Sequence, residues 1–325
     1  MHITKMHGLG NDYIYLNGLE GAPEDLPGLA VRLSDRHFGV GGDGVICIRP
    51  GRGGDFTMEM YNADGSRGAM CGNGIRCVGK YVYDKGLTRK TCLTIDTDAG
   101  PRVLELQVRG GRVEPVTVDM GIPALSPAVS VEAEGETYTV WPVDVGNPHG
   151  VVFCPAPEAV PLERVGPILE GSGAFPQRIN VEFAAVRTRE RLEARVWERG
   201  SGITLACGTG ACAVLAAAVR TGRCGRRAAV RLPGGVLELD WDRDSGHIWM
   251  TGPAVTVFEG EVDKKNHSTN GIFSSILKDD INKRPSGVPE GPKKGIGPWS
   301  FWPHLLYFWL GPSPVWRWGG PCPGG

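Results

Sequence analysis

An α+β fold of two pseudo-symmetric domains, each a curved, mostly antiparallel sheet wrapped around a central helix, is what this sequence predicts. The first observation behind it is a repeat. Gly10-Asn11 recurs as Gly146-Asn147, Tyr61-Asn62 as Trp197-Glu198, and Cys71-Gly72-Asn73-Gly74 as Cys207-Gly208-Thr209-Gly210, all at one offset of 136 residues. Self-similarity at one long period marks a duplicated half-domain. The second observation is a succession of short alternating apolar runs bounded by Gly, Asp or Asn, which reads as strands with turns. The third is that the two best-specified helices each follow a Cys-Gly-x-Gly turn, at equivalent places in the two halves.

In chain order, strands are expected over 12–16, 43–48, 56–61, 93–97, 103–108 and 117–120, then over 138–143, 180–186, 192–198, 236–241 and 255–259. Helices are expected over 75–85, stopped by Gly86, and over 211–220, stopped by Gly222. The second is apolar on almost every face from Ala211 to Val219, as a helix in the middle of a domain should be. The halves divide as 1–118, joined by a last strand over 254–262, and 119–253. The remaining 263–325 differs in kind, because residues 264–325 hold nine of the 25 prolines, five of the nine tryptophans and a net charge of +5. Such Pro and Gly density argues against a packed domain, so a disordered tail is expected. An interfacial anchor is the alternative its aromatic and basic residues offer.

The chain of 325 residues carries 35 basic and 36 acidic side chains, a formal net charge of −1. That balance provides no electrostatic footprint for nucleic acid or an anionic membrane, and a small-molecule partner is expected instead. No run of about 18 apolar residues is present to span a membrane, and the first residues lack a signal peptide's apolar core. Nine cysteines, an odd number without the dense spacing of a secreted scaffold, fit a reducing compartment. A cytoplasmic location and a homodimeric assembly are expected.

Cys71 and Cys207 are the candidate catalytic groups. A thiol at a helix N-terminus feels the positive end of the macrodipole, and nearby N–H groups stabilise its thiolate, so its pKa is expected to fall toward neutrality. The same glycine-rich turns leave N–H donors free, making each helix start suited to a carboxylate. A substrate carboxylate held there would accept the charge released when an α-proton is removed, so no metal and no cofactor is required. Cys77 and Cys212, on the helices themselves, read as core residues. The spacings 71 to 77 and 207 to 212 lack a C-x₂-C pair and bring no His into register, which argues against zinc. Gly39-Val40-Gly41-Gly42-Asp43-Gly44 lacks the P-loop pattern and reads as a tight turn.

Seven segments occur in order: 7–12 (HGLGND), 61–66 (YNADGS), 70–77 (MCGNGIRC), 146–149 (GNPH), 178–182 (RINVE), 197–200 (WERG) and 206–211 (ACGTGA). Together they resemble the diaminopimelate epimerase family, over residues 1 to about 262. The resemblance implies a pyridoxal-independent and metal-independent isomerase that converts LL-2,6-diaminopimelate to the meso isomer, on the route to lysine and peptidoglycan. By position, Cys71 and Cys207 match the family's two proton-transferring cysteines, whose roles swap with direction. His149 and Glu198 match the groups that assist them, with Glu198 also at a substrate-binding position. The N–H groups at Gly72-Asn73 and Gly208-Thr209 match the α-carboxylate cradle. Asn11, Asn62, Asn147, Asn180 and Arg199 match substrate-binding positions, with Arg199 pairing the distal carboxylate. Position 44 is Gly where some members place Gln, and the segment from Lys264 onward has no recognised counterpart.

Proline racemase and 4-hydroxyproline epimerase chemistry is the nearest alternative, but those enzymes usually carry His where this chain has Asn73. A thiol redox switch between Cys71 and Cys207 is a second alternative of another class, in which a reversible disulfide would be the main activity.

Overall fold

A computed structural model describes residues 1–263. The expected tail therefore lies, all but its first residue, outside the described residues. The first half runs β1 (His2–Gly8), β2 (Asn11–Asn17), α1 (Leu26–Ser34), β3 (Gly44–Pro50), β4 (Phe56–Asn62), β5 (Arg67–Gly68), α2 (Gly72–Asp84), β6 (Cys92–Asp96), β7 (Arg102–Arg109) and β8 (Arg112–Asp119). After β9 (Ala124–Leu125) the second half runs β10 (Val129–Ala133), β11 (Glu136–Asp144), β12 (Pro148–Phe153), α3 (Leu162–Glu170), β13 (Asn180–Thr188), β14 (Arg191–Glu198) and β15 (Gly202–Thr204). It ends with α4 (Gly208–Arg220), β16 (Arg227–Leu232), β17 (Gly235–Trp241), β18 (Ile248–Pro253) and β19 (Val255–Glu261). All the described strands join in one sheet of mixed direction, antiparallel except where β2 meets β3, β4 meets β6, β12 meets β13 and β14 meets β16.

The repeat is visible in the register. Tyr13 opposite Gly44 becomes His149 opposite Asn180, and Val45 opposite Tyr61 becomes Val181 opposite Trp197. Helices α1 and α3 start at residues 26 and 162, and α2 and α4 at 72 and 208, each pair at the repeat spacing. One residue is lost later: Phe56 faces Ile95, whereas its counterpart Leu192 faces Val230.

Both central helices begin three residues earlier than expected, because the glycines after each cysteine are the first helical turn and the cysteine itself is the N-cap. Further elements differ from expectation. Helices α1 and α3 were not expected, nor were the strands β1, β5, β9, β10, β12, β15, β16 and β18. In α1 the Asp25 side chain accepts the Gly28 N–H as a cap, and Pro27 sits in the first turn where its missing donor costs nothing.

Helix α4 is buried from Gly210 through Ala218, and its largest side chains, Val214 and Leu215, each contribute about 1.5–3 kcal/mol on leaving water. The halves are stitched where β8 runs antiparallel to β18, with the Thr117 and Thr251 hydroxyls 2.7 Å apart across the seam. On either side of it the chain changes partners. Strand β9, following the first half, pairs with β11, while β19, following the second half, returns to pair with β1. The closing bonds run between Met1 and Val262, the N-terminal ammonium donating to the Val262 carbonyl at 2.7 Å and the Val262 N–H to the Met1 carbonyl at 2.9 Å.

Candidate active site

The N-termini of α2 and α4 meet. A Cβ built on Gly208 would lie 3.5 Å from the Gly72 Cα, and one on Gly72 would lie 3.7 Å from the Gly208 Cα, with Met250 within 3.1 Å of both. Glycine at these first helical positions is what lets the two helix ends approach. Each cysteine has extended backbone angles, φ −129° at Cys71 and −118° at Cys207, and caps its helix through sulfur. The Cys71 Sγ accepts the Gly74 N–H at 3.3 Å, and the Cys207 Sγ accepts the Gly210 N–H at 3.4 Å. The N–H groups of the first turn before these have no carbonyl one turn back to bond, so two positive helix ends converge on one place.

Around Cys71 the hydrogen-bond partners are neutral, amides and the Tyr13 hydroxyl. Its thiol donates to the Asn11 Oδ1 at 3.1 Å, and Asn11 is itself held by its Nδ2 donating to the Asp43 Oδ2 at 2.7 Å. Arg36 bridges Asp12 and Asp43 at 2.8 Å to each, and Lys5 pairs with Asp12 at 2.7 Å, so charge pairs behind the loop fix the amide in front of it. Asn73 reaches across to the other half, its Nδ2 donating to the Ala206 carbonyl at 3.0 Å, while its Oδ1 accepts from the fully buried Arg76 at 2.8 Å. Arg76 also donates to the Gly72 and Pro253 carbonyls, so it ties the α2 N-terminus to the seam.

The surroundings of Cys207 are ionisable. Its sulfur lies 3.3 Å from the Thr209 hydroxyl, and the sulfur, a His149 ring nitrogen and a Glu182 carboxylate oxygen all lie within 4.8 Å of one another. His149 is 1% exposed and Glu182 is fully buried, and their Nδ1 and Oε1 atoms are 2.7 Å apart. The other ring nitrogen of His149 lies 3.1 Å from the Asn147 Oδ1. A His thus stands beside the second thiol, which corrects the expectation that no His stands in register with the thiols. Sheet pairing of β12 with β13, not sequence spacing, brings His149 and Glu182 there.

The half-buried Glu198 accepts the Thr204 hydroxyl at 2.6 Å, and its charge acts on both thiols, raising each. Asn180 is buried, donates to the Pro148 carbonyl at 3.2 Å and accepts the Arg199 backbone N–H at 2.8 Å. The exposed Arg199 guanidinium donates to the Gln177 carbonyl at 2.8 Å and keeps its other donors. Asn62 is turned into its own β-turn, its Nδ2 on the Ser66 hydroxyl at 3.0 Å. The expected set therefore gathers as Asn11 and Asn73 at Cys71, Thr209 and the Asn147–His149 pair at Cys207, and Glu198 acting on both. Asn180 supports Arg199 through its backbone.

One expectation is corrected. Burial pushes the Cys71 thiol up and the Cys207 thiol well up, with Glu198 adding to both, and the helix-end N–H bonds lower each thiol without outweighing this. A thiol raised in this way needs a neighbouring proton acceptor to become a thiolate. Burial likewise raises the Glu198 carboxyl, which makes it able to take up a proton. Glu182 and Arg76 were not singled out in the sequence. The signal for Glu182 was available: it is a carboxylate at the strand position where the other half has Ile46. Cys77 and Cys212 are fully buried, as expected of core residues.

The sequence profile of the diaminopimelate epimerase family matches residues 3–126 and 142–257. The chain is 50% identical over 276 residues to the diaminopimelate epimerase of Acetivibrio thermocellus, covering 81% of this chain and 99% of that one. It is 49% identical over 276 residues to that of Methanococcus maripaludis, covering 81% and 100%. Among solved structures it is similar to a probable proline racemase from Agrobacterium radiobacter, with TM-score 0.66 and 17% identity over 82% of this chain and 94% of that one. It is also similar to a hydroxyproline epimerase from Agrobacterium vitis, with TM-score 0.58 and 18% identity over 80% and 90%. Those two likenesses concern the fold alone.

Proposed function

The chain belongs to the diaminopimelate epimerase family, and from that premise we propose that it converts LL-2,6-diaminopimelate to the meso isomer with Cys71 and Cys207 as opposed base and acid. The observation that carries the proposal is the meeting of two cysteine-capped helix ends at Gly72 and Gly208. A substrate α-carboxylate seated on the first-turn N–H groups of Gly72, Asn73, Gly208 and Thr209 has its α-carbon between the two sulfurs. One thiol gives its proton to Glu198 or His149 and becomes the thiolate that removes the α-proton. Charge then flows into the carboxylate, where the converging helix dipoles stabilise it, and the opposite thiol delivers its proton to the other face. Run backwards, the roles exchange. This chemistry asks nothing of a metal or of pyridoxal.

Specificity for a substrate with a second amino-acid end falls to Asn11, Asn62, Asn147, Asn180 and Arg199, where the guanidinium can engage the distal carboxylate through two parallel bonds. We assign 1–118 with the returning strand 254–262 to one half and 119–253 to the other, which the β1–β19 pairing supports. No helix among the described residues is long and apolar enough to cross a membrane. A cytoplasmic location and a homodimer belong to the same reading. The direct test is incubation with LL-diaminopimelate in deuterated water. α-Deuterium appearing with the meso product supports two-base epimerisation, and unlabelled, unchanged substrate overturns it.

A further inference from the structure

We infer that Glu182 is a positioning residue that, through His149, governs proton exchange at Cys207 and gives the two halves unequal proton chemistry. The inference rests on the epimerase reading above and names a group that reading does not use. Glu182 is the third residue of β13 and has no exposed surface, its Oε1 2.7 Å from the His149 Nδ1 and its Oε2 buried without a partner. A carboxylate placed so is costly unless it holds a proton or a positive charge close by.

The fold makes room for it deliberately. Gly210, in the first turn of α4, would with any Cβ approach the Glu182 Oε1 to 2.6 Å, so the glycine keeps a space under the helix end for the carboxylate. At the equivalent place in the other half, Gly74 keeps the same space for the Ile46 Cδ1 at 2.7 Å. The repeat likewise puts Tyr13 where the second half has His149. Cys71 thus faces a phenol and an isoleucine, and Cys207 faces an imidazole and a carboxylate.

A carboxylate on one imidazole nitrogen fixes the tautomer and stabilises the imidazolium that forms when the ring takes a proton. With Nδ1–H committed to Glu182, Nε2 is the nitrogen that exchanges. The Asn147 amide beside it serves both states by turning over, offering oxygen to the imidazolium and NH₂ to the neutral ring. The titratable groups facing the pair are Cys207 from the α4 N-terminus and Glu198 from β14.

The sign of the effect separates this role from simple charge repulsion. A Glu182 that acted on Cys207 only through its own negative charge would hold the thiolate back, so Glu182→Gln would speed alkylation of Cys207. Acting through His149, it stabilises the thiolate–imidazolium pair, and Glu182→Gln slows that alkylation. The experiment follows iodoacetamide labelling of the full-length protein without substrate by peptide mass spectrometry, with Cys71 in the same sample as internal reference. The expected result is a drop in the Cys207 to Cys71 labelling ratio between pH 7 and 8, partly restored in Glu182→Asp. An unchanged or raised ratio overturns the inference. In the unaltered protein, ¹⁵N shifts of the His149 ring should show the proton on Nδ1, and the opposite tautomer overturns it even if the variants fail to fold. In the epimerase assay kcat should fall roughly 10- to 100-fold with little change in KM. If the unaltered protein does not epimerise diaminopimelate, the functional reading fails while the labelling and ring-shift arms still decide the role of Glu182.

Discussion

Glu198 serves chemistry at the expense of stability, and the sign can be worked through. Burial raises its carboxyl above the ordinary value of about 4.5, so in the window between the two values the folded state holds more protons than the unfolded chain. Stability therefore falls as pH rises through that window, and the loss persists at neutral pH. Glu198→Gln, which can still accept the Thr204 hydroxyl, should raise Tm at pH 7–8, with the gain shrinking as pH falls toward 4.5, while epimerisation is lost. Equal melting temperatures across that range would contradict the burial argument. Cys71→Ala and Cys207→Ala should each lower kcat by about 10³-fold or more with the fold retained, because each removes the only proton carrier on one face, and steady-state kinetics with circular dichroism checks both. The sequence made these residues legible because glycine turns flank them at a fixed spacing. Glu182 was harder to read. Its position in a strand declares it inward, but what an inward carboxylate meets depends on β12 and α4, which sequence spacing does not reveal.

Among the elements, the first turns of α2 and α4 share one design with different tolerances. Alanine at position 74 would press on the mobile end of Ile46, whereas alanine at 210 would press on a carboxylate held by His149. Gly74→Ala should cost about 1 kcal/mol and Gly210→Ala about 3 kcal/mol, read by urea denaturation. Comparable losses would mean that Glu182 has more slack than its contacts imply. The strands that alternation missed have specific reasons. In β1, Thr4 and Lys5 are both buried, Lys5 because it pairs with Asp12 and donates to the Gly41 carbonyl, so a polar pair interrupts the apolar pattern. Strand β18 closes on Gly252-Pro253, which reads as a turn although both residues still pair with β8. In α3, Pro167 lies inside the helix, where a sequence reading places an end.

At the scale of the whole molecule, the curated relatives named above are matched over 99–100% of their own length by 81% of this chain. A chain ended after Asp263 keeps the Met1–Val262 closure and every residue assigned to the site, so it should retain turnover within about twofold of the full chain, as an assay of both side by side would measure. A folded but inactive product would show that the remainder contributes to the site. The overall architecture was legible because duplication announces itself at one spacing, and the exchange that returns β19 to the first half was among the expectations, whereas the pairing of the short β9 with β11 was not, since only pairing distinguishes a strand that stays from one that crosses. That exchange has a consequence during synthesis. The edge of β1 that β19 will cover waits for roughly 250 further residues to be made, an interval of about 12–50 s at 5–20 residues per second. Through that time the nascent chain carries an open strand edge able to pair with a neighbouring copy, so the hazard is greatest where many ribosomes translate one message close together.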